Sequence, residues 1–456
     1  MAGALGDTAV AQPAGQAQFR PCRHLQPRPA APGVLTVTDR PVTEGAAATG
    51  EVSPEALLRR CVHCGFCLAT CPTYRLLGEE NDSPRGRLDL MAQFLDGGPS
   101  GPEALRHLDR CLECRACETT CPSGVAYHRV LAQVRPRLAV RHPRPLHRRL
   151  LRCLLGRLLP WPERTAALLD LAGHFAFLLP GGLRRRLPPR RLLPRRPPPA
   201  APDLLVLGGC IQSVTHPQTN RDLATLLAAG GWSLEELEHP ACCGALNAHL
   251  DQRPLAEDHM KAWIRTWEQR SRAVGRPLGI LAVASGCALH LREYGDYFAT
   301  DPAWGARARA FAAAVRDPAE LVTPDQVRGL ARHSPWRRLV FHVPCTLAHG
   351  LGTGERVRAL LEAAGFTLLP DPDPWRCCGA AGAWSLLHPR LARRLLEARL
   401  ARLPLAEADA IVTANLGCQL QLASGTDLPV VHWVELLGAA QVRGAAQGTS
   451  AGRRSR

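Results

Sequence analysis

Two cysteine runs with the same spacing lie 50 positions apart: residues 61–72, CVHCGFCLATCP, and residues 111–122, CLECRACETTCP. Each has the pattern C-x-x-C-x-x-C-x-x-x-C-P. In bacterial two-cluster ferredoxins, the first three cysteines of such a run bind one cluster and the fourth binds the other. The closing proline has a fixed φ and no N–H to donate. The duplicated pattern therefore predicts two [4Fe–4S] clusters.

The alternation between the runs assigns four cysteines to each cluster. One set is Cys61, Cys64, Cys67 and Cys121, and the other is Cys71, Cys111, Cys114 and Cys117. Zinc is the weaker interpretation, because a zinc ion takes four tetrahedral ligands that usually come as two separated C-x-x-C pairs. Disulfides are weaker still, because the sequence ahead of the runs lacks the basic head and apolar core of a secretory signal.

The composition narrows the class of protein. The chain has 456 residues and 18 cysteines, and such cysteine use in an intracellular chain favours metal ligation over crosslinking. Cys22 and Cys153 fall outside the patterned groups, and we interpret them as incidental.

The net charge is +16 and comes from arginine, since Lys261 is the only lysine. This charge suits anionic lipid or an acidic protein. With no nucleic-acid-binding signature, we expect no nucleic acid as partner.

The cysteine runs lie in residues 51–141, which we expect to form a helical two-cluster ferredoxin-type domain. Ser53 followed by Pro54 is a typical helix start. The 39 residues between Cys71 and Cys111 exceed a compact ferredoxin loop and include stretches with helical spacing. Residues 1–50 and 443–456 lack periodicity, and we predict that both are disordered. No apolar run reaches the roughly 18 residues that a membrane-spanning helix needs.

Residues 142–201 are a segment of arginine, leucine and proline, with arginines grouped at 148–149, 184–186 and 190–191. One interpretation is a basic amphipathic segment that lies on anionic lipid, near a quinone pool. The other is a proline-broken linker whose leucines pack on the neighbouring domains. The sequence leaves both interpretations open.

The rest of the chain contains an internal duplication. The copies are residues 202–300 and 338–442, joined by a connection at 301–337. In each copy a strand leads to a cysteine, a Cys-Cys-Gly triplet follows after 31 residues, and a helix and a second strand lead to Gly-Cys. Apolar strands alternating with helices predict mainly parallel sheets. The predicted fold class is therefore α+β multidomain: a helical ferredoxin domain followed by two α/β cysteine-rich repeats.

Each copy gathers four cysteines, because ligands of parallel sheets collect at the carboxyl ends of strands. The candidate ligands are Cys210, Cys242, Cys243 and Cys287 in the first copy and Cys345, Cys377, Cys378 and Cys418 in the second. Adjacent cysteines would strain the chain around one zinc ion, whereas a multi-iron cluster offers each a separate iron. An iron–sulfur site in each copy is therefore favoured. Structural zinc, a cluster in one copy only, one shared site and free thiols stay open.

The remaining sequence signals are weak evidence for a reactive or ligand-binding site. His290, three residues after Cys287, is either a fifth ligand or a neighbour of the site. Gly350-x-Gly352-x-Gly354 lacks the full dinucleotide pattern, and we interpret it as a turn. We find no phosphate loop, no flavin-binding signature and no nucleophile–histidine–carboxylate arrangement. We therefore expect a chain that carries electrons and holds no catalytic residues.

Three stretches carry a family resemblance: residues 61–74, residues 83–87 (SPRGR) and residues 108–125. They resemble the iron–sulfur subunit of bacterial glycolate oxidase. The paired-cysteine repeats are similar to the cysteine-rich domains shared by that subunit, heterodisulfide reductase and anaerobic glycerol-3-phosphate dehydrogenase. The resemblance covers about residues 53–440.

The resemblance implies an electron-transfer subunit beside an FAD subunit that oxidises glycolate to glyoxylate. FAD then belongs to the partner and not to this chain. The resemblance also implies that electrons pass toward the respiratory quinone pool, so that the chain is cytoplasmic and touches the inner membrane peripherally.

The same resemblance leaves alternatives. An equivalent subunit acting on lactate or glycerol 3-phosphate is one, a heterodisulfide reductase-like protein is another, and a zinc-binding structural protein is a remote third. The wider family often closes each repeat with C-x-x-C, whereas His290 and Gln421 stand at those positions here. This departure favours four-thiol sites over a five-cysteine non-cubane cluster.

Overall fold

The computed structural model describes residues 53–175, 177, 188, 190, 191, 193, 197–237, 239–374 and 376–454, with side chains as far as residue 443. The described residues all belong to one compact unit. The predicted disorder of residues 1–50 thus lies outside the described residues. At the other end, the helix Trp433–Arg454 continues into the segment that the sequence predicts to be disordered.

The ferredoxin-type region is helical, as predicted. Its α-helices are Pro54–Leu58, Pro72–Leu77, Pro84–Leu95, Pro102–Asp109, Ala116–Thr119 and Tyr127–Arg141. Ser53 and Ser83 cap the helices that follow them, because their hydroxyls accept hydrogen bonds from the backbone N–H of Ala56 and Gly86. Leucine, valine and methionine side chains from these helices form a separate buried core. That core is the scaffold on which the cysteine runs lie.

The first repeat contains a parallel sheet. Its strands are β1 (Leu204–Leu207), β2 (Leu234–Leu237), β3 (Gly279–Leu281) and β4 (Val315–Arg316), in the order β2-β1-β3-β4. Leu204 aligns with Leu234 on one side and with Gly279 on the other. Strand β4 lies in the stretch 301–337 that the sequence assigned to the connection, so the sheet of the first repeat extends into that stretch.

The second repeat has the same topology. Its strands are β5 (Arg338–Phe341), β6 (Thr367–Leu369), β7 (Ala410–Thr413) and β8 (Val430–His432), in the order β6-β5-β7-β8, and all neighbours are parallel. Strands β1 and β7 are buried along their whole length, which explains their continuous apolar sequence. The fold class predicted from the sequence is confirmed.

Helices cover both sheets. The longer ones are Gln218–Ala228, Arg253–Val274, Ser285–Arg292, Gly305–Ala314, Gly354–Ala363, Pro389–Leu400, Leu416–Ala423 and Trp433–Arg454. Shorter helices lie at Gln212–Thr215, Ala245–His249, Tyr294–Tyr297, Pro318–Leu321, Pro324–Val327 and Trp384–Leu387, with a π-helix at Thr346–Leu351. One hydrophobic core contains residues of both sheets, including Leu205, Ile280, Leu339 and Val412. The two repeats therefore pack as one body.

In the segment predicted as linker or membrane surface, the described residues include the helices Leu146–Leu158 and Pro162–His174. The helix Leu146–Leu158 packs on the rest of the protein through Arg152 and Gly156. Arg152 is buried against Asp109, and a Cβ at Gly156 would lie 1.8 Å from the Gln252 Oε1 atom. Within the described residues, no helix is long and apolar enough to cross a membrane.

Candidate iron–sulfur centres

The two cysteine runs wind in the same way. His63 and Gly65 in the first run, and Glu113 and Arg115 at the matching positions of the second, all have left-handed φ values between 54° and 81°. This conformation costs a residue other than glycine roughly 1–2 kcal/mol. Ion pairs hold the two strained residues of the second run: Glu113 pairs with Arg135, and Arg115 with Glu293. Each run therefore curls around a cavity.

The structure brings each predicted set of cysteines together around one cavity. Cys61, Cys64, Cys67 and Cys121 line the first. Cys71, Cys111, Cys114 and Cys117 line the second. Cys117, Tyr127 and Pro84 line both cavities, so the two stand side by side. Four thiols around each cavity fit the ligand demand of a [4Fe–4S] cluster.

Arg87 provides buried positive charge beside the second cavity. Only 1% of its side chain is exposed, and its Nη1 atom lies 4.0 Å from the Cys71 Sγ atom. Its Nε atom donates to the carbonyl of His107 at 2.8 Å, which fixes the guanidinium in place. Burial lowers the pKa of Arg87, but the acidic groups around it outweigh this and raise it; they are those of Cys111, Tyr127, Cys71 and Asp82. A fixed cation here stabilises negative charge on the thiolates and on anything they bind.

Three thiols of the runs favour the protonated form. Burial raises the pKa of Cys67 and of Cys111 to about 11, and it raises the pKa of Cys117 well above its ordinary value. Thiolates, and not thiols, bind metal. A buried group of this kind ionises when a cation compensates its charge, so metal binding would release protons.

In the first repeat the four candidate cysteines form a chain of thiol contacts. Cys210 contacts Cys242, Cys242 contacts Cys243, and Cys243 contacts Cys287. Contacts to Cys242 and Cys287 hold the pKa of Cys243 well below its ordinary value. His290 is buried, its Nε2 atom has no hydrogen-bond partner in the part of the chain that the structure describes, and burial lowers its pKa to about 4.

The second repeat has the same chain, in which Cys345 contacts Cys377, Cys377 contacts Cys378, and Cys378 contacts Cys418. One ring nitrogen of His342 and the sulfurs of Cys378 and Cys418 all lie within 4.8 Å of one another. Sequence reasoning did not select His342. It lies three residues before Cys345, where the first repeat has Leu207, so comparing the two copies position by position would have singled it out.

The glycine after each cysteine pair has a structural reason. Gly244 and Gly379 have φ values of 90° and 82°, and each backbone N–H donates to the sulfur two residues before it at 3.3 Å. A Cβ would lie 3.0 Å from the carbonyl oxygen of Ala256 at Gly244 and 2.8 Å from that of Ala392 at Gly379. Both the turn and the close approach to a helix therefore require glycine.

The second cysteine run touches both repeats. Cys114, from the second cavity, contacts the Cys345 thiol of the second repeat, and this contact raises the pKa of Cys345 well above its ordinary value. On the other side, Glu113 accepts a hydrogen bond from the ring of His249 at 2.9 Å, and Arg115 pairs with Glu293. The spacing of the run gave no sign of the charged contacts, because Glu113 and Arg115 lie between the cysteines.

Comparison with known proteins agrees with these sites. The 4Fe-4S dicluster domain family matches residues 57–125, and the cysteine-rich domain family matches residues 204–292 and 339–423. The chain is thus an iron–sulfur protein with a dicluster domain and two cysteine-rich domains.

The relatives are more specific. The glycolate oxidase iron-sulfur subunit of Escherichia coli is 39% identical over 389 residues, which cover 84% of this chain and 94% of that protein. The probable glycolate oxidase iron-sulfur subunit of Bacillus subtilis is 30% identical, with the same coverage. Lactate utilization protein A of Geobacillus kaustophilus is 26% identical over 50% of this chain. The chain belongs to the family of glycolate oxidase iron–sulfur subunits, and the resemblance noted in the sequence is confirmed.

Proposed function

We propose that this chain is the electron-transfer subunit of a glycolate-oxidising dehydrogenase. The observation that carries the proposal is the pairing of two cavities that are lined by cysteines from both runs, with each predicted set of four at its own cavity. A [4Fe–4S] cluster in each cavity would accept and release one electron at a time. Cys61, Cys64, Cys67 and Cys121 would hold one cluster, and Cys71, Cys111, Cys114 and Cys117 the other.

The two proposed clusters would lie close together, because the same residues line both cavities. Cys117 and Tyr127 line both cavities, which keeps the separation between the two centres short. The Cys114–Cys345 contact extends the series toward the second repeat. We infer that its four thiols, Cys345, Cys377, Cys378 and Cys418, bind a further iron–sulfur centre. The same thiol chain at Cys210, Cys242, Cys243 and Cys287 supports a second such centre in the first repeat.

The partner would be an FAD-containing glycolate oxidase subunit, which removes two electrons from glycolate to give glyoxylate. Two or more one-electron centres in this chain would accept the electrons of the reduced flavin one at a time. The net charge of +16 favours docking to an acidic partner, so the association should weaken as salt rises. The final acceptor in this proposal is the quinone pool.

The helix Leu146–Leu158 supports peripheral contact with the cytoplasmic face of the inner membrane. Its buried face carries Arg152 and Gly156, while Leu146, Leu150 and Leu154 are 77%, 67% and 51% exposed. Arg148, Arg149 and Arg157 are exposed on the same helix. Exposed leucines flanked by arginines suit the boundary of an anionic bilayer. The exposure of these three leucines supports the membrane-surface interpretation over packing on a neighbouring domain.

Vesicle flotation tests this contact. We expect the chain to float with vesicles that contain anionic lipid and to stay unbound with neutral ones. Replacing Leu146, Leu150 and Leu154 together by serine should abolish flotation, whereas Leu255→Ser, at an exposed leucine elsewhere, should not. Equal binding by the triple variant and the parent chain would remove the membrane proposal and leave the electron-transfer role intact.

Metal content tests the main proposal. Anaerobically prepared protein should contain about eight iron atoms with matching acid-labile sulfide for the dicluster region alone, and more if the repeats are loaded. Cys114→Ser should lose one cluster signal in low-temperature EPR, whereas Cys153→Ser, outside every group, should lose none. A protein with zinc in place of iron would overturn the proposal.

Substrate assignment needs a separate experiment. The purified chain alone should not oxidise glycolate, and adding the flavin subunit should restore reduction of a quinone analogue. Because the lactate utilization relatives match half of the chain, lactate is the competitor to include. Activity with lactate and none with glycolate would change the substrate and leave the relay in place.

A further inference from the structure

His342 and Arg399 form a buried pair beside the thiols of the second repeat. His342 follows strand β5 directly and is 1% exposed, and Arg399 on the helix Pro389–Leu400 is fully buried. The Arg399 Nε atom lies 3.1 Å from the His342 Nδ1 atom. The other guanidinium nitrogens bind the Asp371 carboxylate and the carbonyl of Asp373. These contacts fix the guanidinium and leave its Nε–H directed at the imidazole.

This contact determines the tautomer of His342. Arginine keeps its proton in proteins, so its Nε can only donate, and Nδ1 must be the accepting, unprotonated nitrogen. The ring proton of a neutral imidazole is then on Nε2. A second ring proton would bring a positive charge against Arg399 inside the protein, which the buried cation disfavours.

The Nε2–H group has no oxygen or nitrogen partner. The Nε2 atom is buried and makes no hydrogen bond among the described residues. Nδ1 is engaged by Arg399, and the ring approaches the sulfurs of Cys378 and Cys418 to within 4.8 Å. An unpartnered buried donor costs about 1–3 kcal/mol, so the site favours an acceptor there. The acceptors nearby are sulfur atoms.

We propose that His342 is a hydrogen-bond donor to the sulfur of an iron–sulfur centre in the second repeat, and not one of its ligands. Ligation through Nε2 would need that nitrogen unprotonated, which the Arg399 contact opposes. A donor to sulfur stabilises the reduced, more negative state and so raises the reduction potential. His342 is thus a positioning residue that acts on potential. This inference rests on the proposed function, because it requires that the second repeat holds iron.

The first repeat lacks the device. Leu207 occupies the position that matches His342, and it has no group to donate. The histidine of the first repeat, His290, lies instead three residues after Cys287 and packs against Tyr294 and Tyr297. Two centres with the same four-thiol pattern should therefore differ in potential, with that of the second repeat the higher of the two.

A redox titration of the full chain, followed by low-temperature EPR, tests the proposal. His342→Leu should keep the iron content and the signal shape of every centre while moving one midpoint potential to a more negative value. His342→Gln keeps an N–H donor and should move it less. Leu207→Met, at the matching position of the first repeat, should move none. Pulsed EPR with ¹⁵N-histidine should give a weak coupling that disappears in His342→Leu.

Three outcomes would overturn it. Loss of iron or a changed signal in His342→Leu, with strong ¹⁵N coupling in the parent, would make His342 a ligand. Unchanged midpoint potentials in that variant would make it a packing residue. Absence of a third centre from the parent chain would remove the inference together with the proposed centre in the second repeat, while the two dicluster signals would still support the main function.

Discussion

The two cysteine-rich repeats share strand order and cysteine spacing but meet the dicluster region differently. Charged contacts hold both repeats, through Arg115 with Glu293 in the first and Arg75 with Asp373 in the second. The second repeat brings a thiol, Cys345, against Cys114 of the second cavity. If both repeats hold iron as proposed, they have unequal roles, because the second repeat is the one whose thiol contacts the dicluster ligands.

The largest expected effect comes from the matched pair Cys345→Ser and Cys210→Ser. Both remove the first cysteine of a repeat, but only Cys345 contacts the dicluster ligands. With the flavin subunit and glycolate, Cys345→Ser should lose most quinone-analogue reduction while the dicluster centres are still reduced. Cys210→Ser should retain more activity. Equal loss in both variants would contradict the unequal roles of the repeats.

The charged anchor can be tested through Asp251. Its carboxylate accepts hydrogen bonds from Arg135 at 2.9 Å and from Arg144 at 2.5 Å, and its side chain is 7% exposed. Asp251 has a φ of 58°, a conformation that asparagine tolerates. Asp251→Asn should lower the free energy of unfolding by about 3–5 kcal/mol. The reason is that it removes one of the three largely buried carboxylates, Glu113, Asp109 and Asp251, that pair with the buried arginines Arg135, Arg144 and Arg152.

An exposed ion pair provides the control for this variant. Asp325 pairs with Arg328 within one helix turn, and both side chains are mostly exposed. Asp325→Asn should change the free energy of unfolding in urea by less than about 0.5 kcal/mol. Similar losses in the two variants would mean that the buried network does not anchor the first repeat.

The sequence predicts some of the elements in this comparison and not others. Strands β1, β3, β5 and β7 and the two cavity sets follow from apolar runs and cysteine spacing. Strand β4 has two residues, and β2 contains Glu235 and Glu236, so neither gave an apolar run. Contacts between distant parts of the chain could not be predicted from the sequence. Glu113 and Arg115, for example, stand in the run only as residues between cysteines. In helix Leu146–Leu158 the periodicity is visible, but the pattern cannot say that arginine and glycine form the buried face.

A pH dependence should mark the junction between the repeats. Asp317 follows β4, caps the helix Pro318–Leu321 by accepting from the Ala319 N–H, and is 3% exposed. Burial raises the pKa of its carboxyl from 3.8 to about 6. The folded state therefore binds more protons than the unfolded state between about pH 4 and 6, and stability falls as pH rises through that range.

Asp317→Asn should reduce that dependence. Asparagine keeps the cap but does not titrate, so the variant should lose less free energy of unfolding than the parent chain between pH 4 and 6. The difference should be on the order of 2 kcal/mol. Urea unfolding at several pH values measures it. Parallel curves for the two proteins would mean that Asp317 is ionised in the folded state at pH 4 as well.

The smallest expected effect concerns the hydroxyl pair that joins the repeats. Ser285, just after β3, lies with its Oγ atom 2.7 Å from the Thr346 Oγ1 atom, just after β5, and Ser285 is 1% exposed. In a double-mutant cycle, Ser285→Ala and Thr346→Val should couple by about 1 kcal/mol. The first repeat has no hydroxyl at the position that matches Thr346, since Cys210 is followed by Ile211. A coupling energy near zero would mean that the shared apolar core alone joins the repeats, so that each could shift on its own relative to the dicluster region.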